Sequence, residues 1–234
     1  MNDELLQLIG LLGLGLVLGL KHALDADHVV AVSTIVSQTK ELKRSSLYGI
    51  LWGLGHTTTL LISGLAILLL KLTIPSKLAL SFEFIVGIVL VILGIDVLVK
   101  LWRDKPHLHK HQHEEGELVH THIHTHKASE FHSHTHKSFL IGMLHGLAGS
   151  GSLVLLALAS AHSVGQGILF ILIFGIGSII GMLITSTIIG LPFVLTMRFD
   201  SVNKVVRLVA GVVSVGLGIV VMLEVGIMGG LFAS

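Results

Sequence analysis

Apolar residues run through this chain in long blocks, and polar residues gather between them. Crossing a bilayer takes about 20 mostly apolar residues. Six stretches qualify, at roughly 5–37, 46–70, 80–101, 138–162, 166–196 and 206–230. The first is too long for one plain crossing. At ~1.5 Å per residue it would reach about 50 Å, against a hydrocarbon core of about 30 Å. It is expected to be strongly tilted, broken in the middle, or split into two short helices, with any break between Lys21 and His28. The pattern predicts an all-α polytopic membrane protein of six crossings, or seven if the first stretch is two helices.

Composition makes the bilayer the only workable solvent. The 234 residues are 52% hydrophobic, with a mean hydropathy of +0.89 and 12% charged residues. Soluble domains carry about 25% charged residues, so this chain could not cover itself in water. Met1-Asn2-Asp3-Glu4 is acidic, unlike the basic start of a secretory signal, so the first apolar stretch is expected to be retained.

The charged connections orient the crossings. Lys40, Lys43 and Arg44 follow the first stretch, Lys100 to Lys137 separate the third and fourth, and Arg198, Lys204 and Arg207 separate the fifth and sixth. The alternate connections hold only Lys71 and Lys77, then no Lys or Arg around Ser163–Gln166. Excess Lys/Arg marks the cytoplasmic side, so the predicted location is the cytoplasmic membrane. Both termini then lie outside with six crossings, and a seventh moves the N-terminus inside.

An internal repeat divides the chain. Gly19-Leu20-Lys21-His22-Ala23-Leu24 matches Gly142-Met143-Leu144-His145-Gly146-Leu147 at an offset of 123 residues. Trp52-Gly53-Leu54-Gly55-His56 matches Phe174-Gly175-Ile176-Gly177-Ser178 at 122, and Gly87 and Gly94 match Gly211 and Gly218 at 124. Three crossings per copy is an odd number, so the second copy should run opposite to the first, a common transporter plan. The predicted units are residues 1–102, a first three-helix repeat; 103–137, a cytoplasmic His-rich loop; and 138–234, a second three-helix repeat. The loop alternates His107, His109, His111 and His113, then His120 to His126, then His132 to His136. Such a tract builds no core and reads as a disordered metal buffer or sensor.

Histidine changes the chemical picture. There are 16, against 15 Lys plus Arg, and no cysteine. Disulfides, thiolate sites and Cys nucleophiles are excluded. A net charge of +1 gives no field for nucleic acid, and no nucleic-acid partner is expected. Within the first apolar stretch stands His22-Ala-Leu-Asp25-Ala-Asp27-His28. Each Asp costs about 2.5–3.5 kcal/mol at the centre of a bilayer. Lys21 could offset one; a divalent ion would offset both. On an unbroken helix His22, Asp25 and His28 share one face and Asp27 points away, whereas a break would let Asp27 join them. The plainer alternative is a solvated turn. His56, in Gly53-Leu-Gly55-His56-Thr57, is either a core imidazole or a further ligand. His145 sits at the repeat position of His22, before Gly146-Leu-Ala-Gly149-Ser-Gly151, which is either an unwound helix or a tight packing surface. The candidate metal set is His22, Asp25, Asp27, His28, His56 and His145. Asp96, Glu83 and Glu224 read as interfacial carboxylates, Asp96 being the deepest and a conceivable proton relay. Gly10, Gly13, Gly15 and Gly19 read as helix-packing notches.

Imidazole with carboxylate and no thiolate fits a late first-row ion, Ni²⁺ or Co²⁺ and equally Zn²⁺ or Fe²⁺, with Mg²⁺, Ca²⁺ and Cu(I) disfavoured. No P-loop and no His-Glu-x-x-His occurs, so neither ATP-driven transport by this chain alone nor an enzyme is expected, and no resident cofactor. Leu20-Lys-His22-Ala-Leu-Asp25-Ala-Asp27-His28-Val29, with its His-x₄-Asp-His core, resembles the signature of the nickel/cobalt transporter family, and Leu54-Gly55-His56-Thr57 resembles that family's next motif. The chain is similar to the compact branch, which includes urease-accessory-like and efflux members. The resemblance implies that His22, Asp27 and His28 recognise the metal, and it favours the broken helix. The expected function is secondary transport of Ni²⁺ or Co²⁺ across the cytoplasmic membrane. The alternative is a membrane metal sensor or the integral subunit of a larger uptake system.

Overall fold

A computed structural model describes residues 3–70, 75–103, 136–149 and 163–232. All regular structure among them is helical. Helix α1 spans Asp3–His22, α2 Ala26–Val36, α3 Leu42–Leu70 and α4 Ser76–Arg103. Helix α5 covers 136–149 of the described residues. Helix α6 spans Val164–Leu195, a single 3₁₀ turn follows at Thr196–Arg198, α7 spans Asp200–Leu223, and a π-helical turn closes the chain at Glu224–Met228. The His-rich segment 104–135 and residues 150–162 of the fourth apolar stretch lie outside the described residues.

Five of these helices are long and apolar enough to cross a membrane. Their outward faces agree. Ile62, Leu70, Ile92, Ile188, Leu195 and Val205 are each more than half exposed. A water-soluble monomer rarely shows contiguous apolar surface beyond a few hundred Å², whereas lipid tails accept it without cost. The protein is a multi-pass membrane protein.

The long first stretch is broken. Leu24 N–H donates to Lys21 C=O and Asp25 N–H to His22 C=O, at 2.9 and 3.0 Å. These tight i→i−3 bonds end α1. Asp25 then turns extended, with φ −61° and ψ 144°, and α2 starts at Ala26. At ~1.5 Å per residue the 11 residues of α2 reach only about 16 Å. Close contacts with α6 fix the levels. Leu20 and Ala23 meet Gly181 at mid-height of α6, while Leu42 and Ser45 meet Gly190 near its end. Helix α2 carries the chain between those two levels, onward in the direction α1 was running.

Small residues let the backbones close, as membrane packing demands when lipid offers no hydrophobic drive. No room for a Cβ remains at Gly19, against the Phe174 carbonyl, or at Gly142, against the Trp52 carbonyl. Gly177 sits on Leu16 and Leu20, and Gly55 on Phe139 and Met143. Gly53 abuts Ile179 while Gly175 abuts Thr57; Gly87 meets Gly218 while Gly94 meets Gly211. Each contact recurs with its partners exchanged by 122–124 positions. Helices α1 and α6 run parallel, as do α3 and α5, whereas α3 and α6, and α4 and α7, run antiparallel. Gly15 and Gly19 are the packing notches expected of them; Gly10 and Gly13 meet no described atom within 4 Å of where a Cβ would stand.

Asp96 joins two helices. Its carboxylate accepts from Gln38 Nε2 and Lys100 Nζ, both at 3.0 Å, and so ties the end of α2 to the Lys/Arg-bearing end of α4.

Candidate metal centre

The break in the first stretch delivers its polar groups to the middle of the bundle. His22 ends α1, and Asp25, Asp27 and His28 stand at the start of α2. His56 lies at the midpoint of α3, and His145 comes from α5. His28, His56 and His145 keep 3%, 0% and 2% of their surface exposed. His22 and Asp27 are half-buried and Asp25 is exposed. The structure therefore unites five of the six candidate residues and places Asp25 on their rim. Asp27, which an unbroken helix would turn away, faces inward because the helix restarts one residue before it.

Four imidazoles share one space. Ring centroids are 4.6 Å apart for His22 and His28, 4.9 Å for His22 and His56, 5.2 Å for His28 and His56, and 5.1 Å for His28 and His145. Three of these rings are oriented by an acceptor at Nδ1. His22 Nδ1–H donates to Asp25 at 2.7 Å, His28 Nδ1–H to Asp27 at 3.1 Å, and His145 Nδ1–H to the Ile141 carbonyl at 3.2 Å. Each bond fixes the tautomer and turns the Nε2 lone pair inward, the arrangement by which carboxylates and carbonyls orient metal-binding histidines. His22 Nε2 lies 3.2 Å from His56 Nε2. Two nitrogens held by one ion at about 2.0–2.1 Å each stand roughly 3 Å apart, so this separation suits shared coordination.

The remaining polar atoms are short of partners. Among the described residues, His28 Nε2, His145 Nε2 and His56 Nδ1 are buried with no hydrogen bond. The second oxygen of Asp27 stands 3.9 Å from His145 Nε2. A buried unpaired polar atom costs about 1–3 kcal/mol, so a cluster of them at one point calls for a ligand. His22, His28 and His56 each offer an atom within 4.8 Å of the others, and Asp25, Asp27 and His28 form a second such group that shares His28. Lys21 pairs with neither aspartate, so the lysine proposed to offset one of them does not. The N-terminal end of α2, with its partial positive charge, supports both carboxylates instead.

Sequence reasoning missed two ring neighbours. Trp52 packs 4.8 Å from His145 and 6.4 Å from His28, and Phe174 lies 5.4 Å from His22. The signal was present: Trp52 precedes His56 by four residues, hence on the same helical face, and Phe174 is its repeat counterpart. Glu83 and Glu224, read from the sequence as interfacial, are both exposed near helix ends. Both line a cavity of about 570 Å³ whose wall includes His22, Asp27, His28 and His145. Gly149 lines the same cavity, and a Cβ there would meet the His22 ring at 3.8 Å, in ordinary van der Waals contact. The backbone is helical through Gly149; Ser150 and Gly151 lie outside the described residues.

Comparison with known proteins agrees with a membrane-embedded role. The family described as the transmembrane region of cytochrome c biogenesis protein matches residues 14–220. The urease accessory protein UreH of Bacillus sp. (strain TB-90) is 43% identical over 225 residues, which cover 96% of each chain. No solved structure matches significantly. With the family matching residues 14–220, the chain belongs to the family of cytochrome c biogenesis protein transmembrane regions, and it is similar along nearly its whole length to a urease accessory protein.

Proposed function

We propose that the protein is a secondary transporter of a divalent transition-metal ion, Ni²⁺ or Co²⁺, with His22, Asp27, His28 and His56 as its substrate site and His145 closing it. The observation that carries this reading is the set of inward-turned, unpartnered imidazole nitrogens around Asp27 at mid-height of the bundle. One carboxylate and several neutral imidazoles suit late first-row ions over Mg²⁺ or Ca²⁺. The His-x₄-Asp-His signature favours nickel and cobalt, and kinship with a urease accessory protein points the same way.

The architecture of the proposal is two inverted three-helix repeats and six crossings in the cytoplasmic membrane, with the first crossing a broken helix formed by α1 and α2. The exchanged glycine contacts and the antiparallel pairing of α3 with α6 and of α4 with α7 support it. So does the onward direction of α2, since a seventh crossing would need α2 to turn back. The His-rich segment is then a cytoplasmic accessory that buffers or senses the ion. Without a nucleotide-binding motif, the driving force is the membrane potential or an ion gradient.

The test is flux by the purified chain alone in liposomes, with Ni²⁺ or Co²⁺ followed by an encapsulated indicator under an imposed potential. Saturable flux in wild type, lost in Asp27→Asn, is the expected result. A correctly inserted wild-type chain that moves neither ion would instead favour a sensor or a subunit of a larger system.

A further inference from the structure

Glu83 and Glu224 are not part of the imidazole cluster, yet the packing aims both at its cavity. Helices α4 and α7 meet through Gly87 and Gly218 in antiparallel register. The same register sets Gly226 near Phe84 and Gly229 against Leu80. Glu83, one turn before Gly87, is thereby brought opposite Glu224. The two carboxylates line the same cavity as Asp27. At this point α7 changes to a π-turn, Glu224–Met228, with Gly229 N–H bonded to Glu224 C=O at 2.7 Å. Such π-turns are rare and concentrate at functional sites. Glu224, Val225 and Met228 of this turn all face the cavity.

We propose that Glu83 and Glu224 form a second cation position, at the mouth of the cavity, that takes a hydrated divalent ion and hands it to the imidazoles; this rests on the transport reading above. Two carboxylates without imidazole are hard oxygen ligands, suited to an ion that keeps its water. Six waters at about 30 Å³ each occupy roughly 180 Å³, well inside the 570 Å³ of the cavity. The deeper wall presents the buried, unpartnered Nε2 atoms of His28 and His145, which replace that water as the ion advances. Charge at the mouth gathers cations, and the imidazoles select among them.

The full-length chain is tested with Mn²⁺, an ion that prefers oxygen ligands. Equilibrium binding should fall by about one ion per chain in Glu83→Gln/Glu224→Gln, stay at the wild-type level in Glu83→Asp/Glu224→Asp, and lose no mouth ion in Asp27→Asn. In liposomes the Gln pair should raise the KM for Co²⁺ about tenfold, leave maximal flux unchanged, and flatten the dependence of KM on ionic strength. A Gln pair that binds as much Mn²⁺ as wild type, or that lowers maximal flux with KM unchanged, overturns the mouth site. That failure is distinct from failure of the substrate site, which shows as Asp27→Asn transporting normally. If wild type moves no Co²⁺, the Mn²⁺ comparison still decides the mouth site alone.

Discussion

Helix α1 and helix α5 reach the centre of the bundle by equivalent routes, and each brings a histidine there. His22 and His145 occupy matching repeat positions, and Gly19 and Gly142 nearby make matching contacts with Phe174 and Trp52. Beyond the two histidines the copies diverge. After His22 the helix stops, and two aspartates and a second histidine enter. After His145 the backbone continues helical to Gly149 with no carboxylate. The second copy keeps the packing and drops the charge. One scaffold thus yields two kinds of half-site. One is expensive in a bilayer, and on the proposed reading a cation offsets it; the other is neutral and would close around that ion. A symmetric site with both charges doubled would place four aspartates around one ion, at about 2.5–3.5 kcal/mol each if unpaired.

The sharpest way to break the comparison is to remove charge from the first copy. Asp27→Asn and His28→Ala should each weaken Ni²⁺ or Co²⁺ binding by more than about a hundredfold, since even partners that only orient ligands cost 10–100-fold. Isothermal titration of the inserted, detergent-purified variants measures this, and wild-type affinity in both would refute the site. Acid should act alike. Ligating imidazoles must be neutral, so affinity should fall in acid and recover on return to neutrality.

Asp25→Asn should cost less, about 10–100-fold, because Asp25 only orients His22 in this arrangement. If its loss equals that of Asp27→Asn, Asp25 is a direct ligand and the ion sits nearer the rim.

The shared scaffold predicts equality where the charges predict difference. Gly19→Ala and Gly142→Ala each push a methyl into a facing carbonyl, and each should destabilise the fold by about 1–3 kcal/mol. Gly13→Ala, with no described atom near it, should change little. Thermal melting by size-exclusion recovery reads all three. Unequal losses at Gly19 and Gly142 would argue against equivalent packing.

The smallest effect is expected from deleting His107–His136. Flux should persist, with altered sensitivity to metal concentration. Loss of flux in a stably inserted deletion would put the segment in the pathway.

The site was legible in the sequence to the degree that its residues are out of place there. Asp27, His28 and His56 interrupt apolar runs where ionisable groups are costly, and glycine offsets tied His145 to His22. Helical geometry alone would have rejected Asp27; only the break between α1 and α2 admits it. That Glu83 and Glu224 line the cavity was not legible, because position within a stretch reports depth, not which neighbour a helix meets. Their approach depends on the register of α4 against α7 and on a π-turn that no periodicity announces. Gly10 and Gly13 repeat the spacing of true notches without a described partner helix.

The short α2 also sets an order of assembly. Its 11 residues are too few to hold a transmembrane position unaided, and two aspartates weigh on its leading end. Its main neighbours are α6 and α7, which leave the ribosome last. During synthesis α2 therefore gains most of its packing only when the second half arrives, and the proposed metal centre, which His145 closes, is completed late. On the transport reading, a cell that makes this protein is spared a half-built membrane protein that captures its ion and has no means of releasing it.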